Sequence, residues 1–71
     1  MATKYKYIKV IQQFFGMWED VSEYACNSQY ITTEKHVNKD NKTVSLLSHD
    51  LKEYKQTGYP TRVVKRRLLN N

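Results

Sequence analysis

The chain has one cysteine, one proline and two glycines in 71 residues, and it has no long apolar run. The single cysteine, Cys26, excludes a disulfide within one chain. The unpaired cysteine and the absence of a signal-like start together predict a reducing, cytoplasmic location. No stretch approaches the roughly 18 apolar residues that a membrane-spanning helix needs, so we expect no membrane partner. The length predicts one domain, residues 1–71, with a small core.

Patterns of metal binding and catalysis are also missing. Cys26, His36 and His49 are ten and thirteen residues apart, without the short spacings typical of zinc sites. No serine or cysteine lies in a recognisable nucleophile pattern. Gly16 and Gly58 stand alone, which argues against a phosphate-binding loop. The sequence therefore predicts a protein that is not an enzyme and that holds neither a metal nor a cofactor.

Positive charge is concentrated in the second half of the chain. Residues 1–36 carry four basic and four acidic side chains, whereas residues 37–71 carry eight and three, so the net charge is +5. Four of the basic residues fall within the last predicted strand. A basic surface attracts nucleic acid or an acidic protein. A small domain also carries such a charge for solubility alone.

Aromatic and β-branched residues dominate the stretch 4–24, around which we expect the fold to be organised as a β-hairpin. Residues 5–14 form the first predicted strand, Gly16 the turn, and residues 18–24 the second strand. Alternation along the first strand defines two faces. We expect the core face to hold Ile8, Val10, Gln12 and Phe14, and the half-covered face to hold Tyr5, Tyr7, Lys9, Ile11 and Gln13.

The second strand breaks strict alternation. Trp18, Val21 and Tyr24 are three residues apart, so a period of two cannot place all of them on one face. Either a β-bulge near Asp20 reconciles them, or Trp18 covers the hairpin end while Val21 alone points inward.

The rest of the chain predicts a short strand within residues 30–37, a loop over 38–42, a helix over 44–57 and a last strand over 61–69. The helix is supported by one apolar face, formed by Val44, Leu47, Leu51 and Tyr54. Thr43 or Ser45 can cap its start, and Gly58 with Pro60 ends it. A basic helix is the alternative for the last segment, but its paired valines and the preceding proline favour a strand.

These elements predict an α+β fold, with a small antiparallel sheet of three to four strands and one helix packed on one face. The predicted order is β–β–(β)–α–β, and we expect the last strand to lie beside the first.

Four segments resemble a family of small uncharacterised proteins of temperate bacteriophages and prophages of low-GC Gram-positive bacteria, staphylococcal phages especially. They are YKYIKVIQQ at 5–13, GMWEDVSEY at 16–24, DLKEY at 50–54 and YPTRVVKRR at 59–67, a little under half of the chain. Residues 25–45 carry no such likeness. The resemblance implies a phage-encoded accessory protein of the host cytoplasm, and it implies no activity.

Two hypotheses of function follow. The first is a non-enzymatic interaction module that binds a host or phage protein, or a second copy of the chain, through exposed aromatic and basic side chains. The second is a small basic protein that binds nucleic acid with the same side chains. The predicted binding residues are Tyr5, Tyr7, Lys9, Phe15, Arg62, Lys65, Arg66 and Arg67.

Overall fold

A computed structural model describes residues 5–69, which form five strands and one helix. In chain order they are β1 (Tyr5–Phe14), β2 (Trp18–Cys26), β3 (Lys35–Val37), β4 (Thr43–Ser45), α1 (Leu46–Lys55) and β5 (Thr61–Leu69). The predicted α+β class is confirmed. The order differs from the prediction by one additional strand, β4, immediately before the helix.

The strands form two sheets instead of one. The larger sheet has the order β2–β1–β5, and β1 is antiparallel to both neighbours. The smaller sheet is a hairpin of β3 and β4. Asn38 makes this hairpin, because its side chain accepts hydrogen bonds from the backbone N–H groups of Asp40 and Lys42. The predicted third strand is thus shorter than expected and pairs with β4.

A β-bulge interrupts β2 at Val21. Ile11 lies opposite Ser22, whereas Gln12 lies opposite Asp20, so Val21 is the additional residue. Val21 and Tyr24 therefore both pack in the core. Trp18 instead contacts Phe14 on the other face, so the bulge near Asp20 is present without uniting all three apolar residues.

The helix is shorter than predicted. Ser45 is its N-cap and accepts a hydrogen bond from the backbone N–H of Ser48, so Val44 lies in β4 and not in the helix. Gln56 is the C-cap. Gly58 has φ of 89°, the left-handed conformation that glycine adopts without strain, and it turns the chain towards β5.

The helix packs on the face of the sheet that carries Ile11. Ile11, Tyr24 and Leu47 form the buried cluster. The partly buried residues around them are Val21, Leu46, Leu51, Tyr54 and Val63. Of the predicted core face, Ile8, Val10 and Gln12 are buried as expected, whereas Phe14 is exposed. The helix, however, lies on the other face, which Tyr5, Tyr7 and Lys9 share at the end of β1 away from Gln13. Alternation correctly identified which residues of β1 share a face. The apolar residues Ile8 and Val10, however, favoured the face opposite the one that the helix covers.

Ile8 and Val10 lie on the opposite face of the sheet, hereafter the open face. The one helix of the described residues is on the other side. Both side chains are nonetheless buried, with Val10 at 0% exposure. Their burial depends on long side chains from the flanking strands, which also build the first candidate surface.

Candidate interaction surfaces

Four polar side chains form a continuous bridge across the open face. Arg62 Nε donates to Gln12 Oε1 at 2.8 Å, and Gln12 Nε2 donates to Asp20 Oδ1 at 2.8 Å. Arg66 closes the bridge, since its guanidinium donates to Asp20 Oδ2 at 2.5 Å and to Oδ1 at 3.0 Å. This polar bridge links all three strands of the larger sheet, and its side chains extend over Val10.

Electrostatics hold the bridge in its charged form. The hydrogen bonds from Arg66, and then from Gln12, lower the pKa of Asp20 from 3.8 to about 2. The hydrogen bond to Asp20 in turn raises the pKa of Arg66. Asp20 therefore stays ionised above about pH 4, and its carboxylate compensates the charge of Arg66 within the chain.

Exposed apolar side chains gather at the hairpin-turn end of the larger sheet. This aromatic end consists of Phe14, Phe15, Met17, Trp18 and Tyr59. The rings contact in pairs, Phe14 with Trp18 at 5.4 Å and Phe15 with Tyr59 at 4.6 Å between centroids. The backbone N–H of Phe14 donates to the carbonyl of Pro60, which brings the turn beside the connector before β5.

Tyrosine rings and cations alternate at the other end of the helix face. This tyrosine–cation cluster consists of Tyr5, Tyr7, Lys9, Tyr30, Lys65 and Arg67. Arg67 lies over the ring of Tyr5 at 4.4 Å, and Lys65 lies 5.4 Å from the ring centroid of Tyr30. Lys9 is directly opposite Lys65, an arrangement of like charges that an anion would relieve.

The structure separates the eight predicted binding residues into three places. Five of them, Tyr5, Tyr7, Lys9, Lys65 and Arg67, belong to the tyrosine–cation cluster. Arg62 and Arg66 belong to the polar bridge on the open face. Phe15 is at the aromatic end. The predicted binding residues therefore do not form one surface, because alternation along β5 sends its cations to both faces of the sheet.

Two buried polar side chains carry contacts that the sequence did not single out. Gln13 Nε2 donates to the carbonyl of Tyr54 and to the hydroxyl of Thr57, both at 2.9 Å, and so ties β1 to the end of the helix. The hydroxyl of Tyr24 donates to Asp50 Oδ2 at 2.6 Å. Burial, with this hydrogen bond, raises the pKa of Tyr24 from 10.0 to about 12.

His36 and His49 stack at 3.8 Å between ring centroids, although they are distant in sequence. His49, Asp50 and Glu53 also bring potential metal-ligand atoms within 4.8 Å of one another, a grouping that linear spacing did not reveal. Each of these side chains has a partner within the chain. Asp50 accepts from Tyr24, and His49 Nε2 lies 3.3 Å from Glu53 Oε1. These contacts account for the grouping without a ligand.

Residues 5–69 include no helix with the length and apolarity required to cross a membrane. Comparison of the chain with protein-family models, with curated proteins and with solved structures finds no match.

Proposed function

We propose that this chain is a non-enzymatic protein-interaction module whose contact surface is the aromatic end. The observation that carries the proposal is the exposure of four apolar side chains there: Phe14 at 38%, Phe15 at 42%, Met17 at 63% and Tyr59 at 51%. These residues lie outside the buried core cluster around Ile11. Exposed apolar side chains gathered at one end of a small domain are typical of a protein-binding site.

The aromatic end has the composition of an interface centre with a charged rim. Trp18 is half-buried, and the guanidinium of Arg62 lies 4.1 Å from the centroid of its ring. Aromatic rings supply contact area at low entropic cost, and arginine at the rim selects carboxylates. The partner is therefore a protein that offers an apolar recess bordered by acidic side chains. If the chain is phage-encoded, as the resemblance implies, the partner is a host or phage protein in the bacterial cytoplasm.

Affinity capture with matched variants tests this function. Phe15→Ser combined with Met17→Ser removes two exposed apolar side chains from the aromatic end. The control, Ile31→Ser with Val37→Ser, removes two that are equally exposed elsewhere. We expect one stoichiometric partner to be captured by the wild type and by the control, and lost with the first variant. Equal capture by all three proteins, or no partner at all, would overturn the proposal.

A second copy of the chain is the alternative occupant of the aromatic end. Light scattering over micromolar concentrations distinguishes it from a foreign partner. A dimer that the Phe15→Ser, Met17→Ser variant abolishes would identify the occupant as the chain itself, while a constant monomer mass excludes self-association.

Nucleic-acid binding is the second candidate function, and the tyrosine–cation cluster favours it. Tyrosine rings beside Lys9, Lys65 and Arg67 match the arrangement in which bases stack and phosphates pair with cations. Binding of a single-stranded oligonucleotide should then weaken steeply between low and high salt. At low salt, the Lys9→Ala variant should bind the oligonucleotide less tightly than the wild type. Absence of binding at low salt would exclude this function.

A further inference from the structure

The two edge strands of the larger sheet, β2 and β5, differ in how well they are protected from pairing with a further strand. β2 carries three acidic side chains, and the bulge at Val21 interrupts its regular pairing. Its last residues are also covered, because Cys26 bridges to Thr32 and the backbone N–H of Thr33 donates to the carbonyl of Ala25 at 3.3 Å. Charge, a bulge and a covering segment are devices that keep an edge strand from pairing further.

Within residues 5–69, β5 has neither a bulge nor a covering segment. It pairs with β1 without a register shift, from Tyr5 opposite Leu69 to Gln13 opposite Thr61. It contains neither glycine nor proline. Alternate residues of an antiparallel edge strand direct their backbone N–H and C=O groups outward. A long, regular edge of this kind is where an extended peptide adds as a further strand.

The cationic side chains of β5, the edge strand of the larger sheet, lean across that sheet. Within residues 5–69, the side-chain contacts of these four residues are made on the β1 side of the strand. The contacts are Arg62 with Gln12 and Trp18, Lys65 with Tyr30, Arg66 with Asp20, and Arg67 with Tyr5.

The charge of the edge is only partly compensated. β5 contains four basic residues and no acidic one. Arg66 pairs with Asp20, but Arg62, Lys65 and Arg67 form no ion pair within the part of the chain that the structure describes. Two β5 strands placed side by side would set these cations against each other, so a symmetric dimer through this edge is disfavoured. An incoming strand with carboxylates meets uncompensated cations on both faces.

From these observations we infer that the β5 edge binds an extended acidic segment of a partner protein, which adds as a fourth strand to the β2–β1–β5 sheet. The inference goes beyond the proposed function, because it assigns a second contact surface, separate from the aromatic end, and names the chemistry of the segment that this surface binds. Backbone hydrogen bonds would supply the register, and Lys65 and Arg67 would favour carboxylates over neutral or basic side chains.

A short blocked peptide in which glutamate alternates with valine is the probe, and the same peptide with lysine in place of glutamate is its control. We expect the acidic peptide to bind the full chain, more tightly at low salt, and the lysine peptide not to bind. In nuclear magnetic resonance spectra, the largest amide shifts should fall along residues 61–69, with slowed hydrogen exchange at alternate positions. Shifts confined to the side chains of Lys65 and Arg67, without slowed exchange, would overturn strand addition.

Charge reversal provides the matched variants. Lys65→Glu combined with Arg67→Glu should weaken binding of the acidic peptide by about tenfold or more. Lys39→Glu with Lys42→Glu changes the net charge equally in the loop between β3 and β4, and should weaken it far less. Equal loss in both variants would show attraction to net charge alone and overturn the inference. A single-stranded oligonucleotide that binds where the acidic peptide does not would also overturn it. Neither result affects partner capture by the aromatic end, which is tested separately.

Discussion

Arg66 on β5 binds both carboxylate oxygens of Asp20 on β2, across the full width of the central strand β1. Strands two positions apart in a sheet are separated by about 9–10 Å, so only a long side chain can make this contact. The stem of Arg66 therefore runs over Val10, on the face of the sheet opposite α1. The polar bridge thus covers the open face of the sheet, which explains how Val10 is fully buried there.

The Asp20–Arg66 pair should make stability depend on acid pH. The pKa of Asp20 is lowered from 3.8 to about 2, so its contribution is fully present above pH 4 and is lost as the pH falls towards 2. Asp20→Asn should lower the melting temperature at pH 7, and the difference from the wild type should disappear near pH 2. Circular dichroism melts at several pH values measure this. Asp40→Asn, in the exposed loop, is the control that should leave the melting temperature unchanged.

Gln13 should require an amide and not merely a polar side chain. Its Nε2 group donates to the carbonyl of Tyr54, which cannot donate in return. Gln13→Glu keeps the shape but places a carboxylate against that carbonyl in a site that is 4% exposed. We expect a loss of about 1–3 kcal/mol in the free energy of unfolding at pH 7, measured with chemical denaturant.

The exposed C-cap residue Gln56 offers the control for this change. Gln56→Glu has the same chemistry at the helix end, where its side chain is in solvent. Its cost should stay within about 0.5 kcal/mol, as for other surface substitutions. Equal losses in the two variants would contradict the bridging role of Gln13.

The fold class was predictable from the sequence because periodicity and turn residues are local. Gly16, Ser45 and Gly58 each act through their own backbone or the next few residues, so their roles at the turn, the N-cap and the helix exit could be inferred. Which face of β1 receives the helix was not predictable from alternation. That choice depends on Gln13 and Tyr24, whose hydrogen bonds to the helix and its exit join residues 26 to 44 positions apart.

The same reason limited prediction of the candidate surfaces. Composition identified the cations of β5, but their partners Asp20, Tyr30 and Trp18 are distant in sequence. Phe15 was recognised, whereas Met17 and Tyr59 beside it were not, because the turn and the β5 connector meet only in the folded chain. Exposed apolar residues next to a turn glycine are the local signal that could have indicated the aromatic end.

Tyr24 should titrate late, and its hydroxyl should stabilise the fold. The pKa of Tyr24 is raised from 10.0 to about 12 by burial and by the hydrogen bond to Asp50. Stability from the protonated hydroxyl is therefore complete below pH 10 and is lost as the pH rises towards 12. Absorbance at alkaline pH, compared between the wild type and Tyr24→Phe, should assign to Tyr24 an ionisation near pH 12 that is missing from the variant.

Tyr24→Phe removes this hydroxyl and keeps the ring. Because the partner is a carboxylate, the loss should be about 1.5–3 kcal/mol at pH 7. Tyr59→Phe, at the exposed aromatic end, is the control and should cost little. A Tyr24→Phe variant as stable as the wild type would show that Asp50 is satisfied by solvent instead.

The aromatic end should be dispensable for folding if its role is to bind a partner. Met17 is 63% exposed, so Met17→Ser should change the free energy of unfolding by no more than about 0.5 kcal/mol. Ile11 is at the centre of the buried cluster, and Ile11→Ala should cost about 2–5 kcal/mol, because it leaves a cavity beneath Leu47. Denaturant unfolding compares the two. A large loss with Met17→Ser would mean that this end supports the fold, since a side chain retained for a partner contributes little to the stability of the free chain.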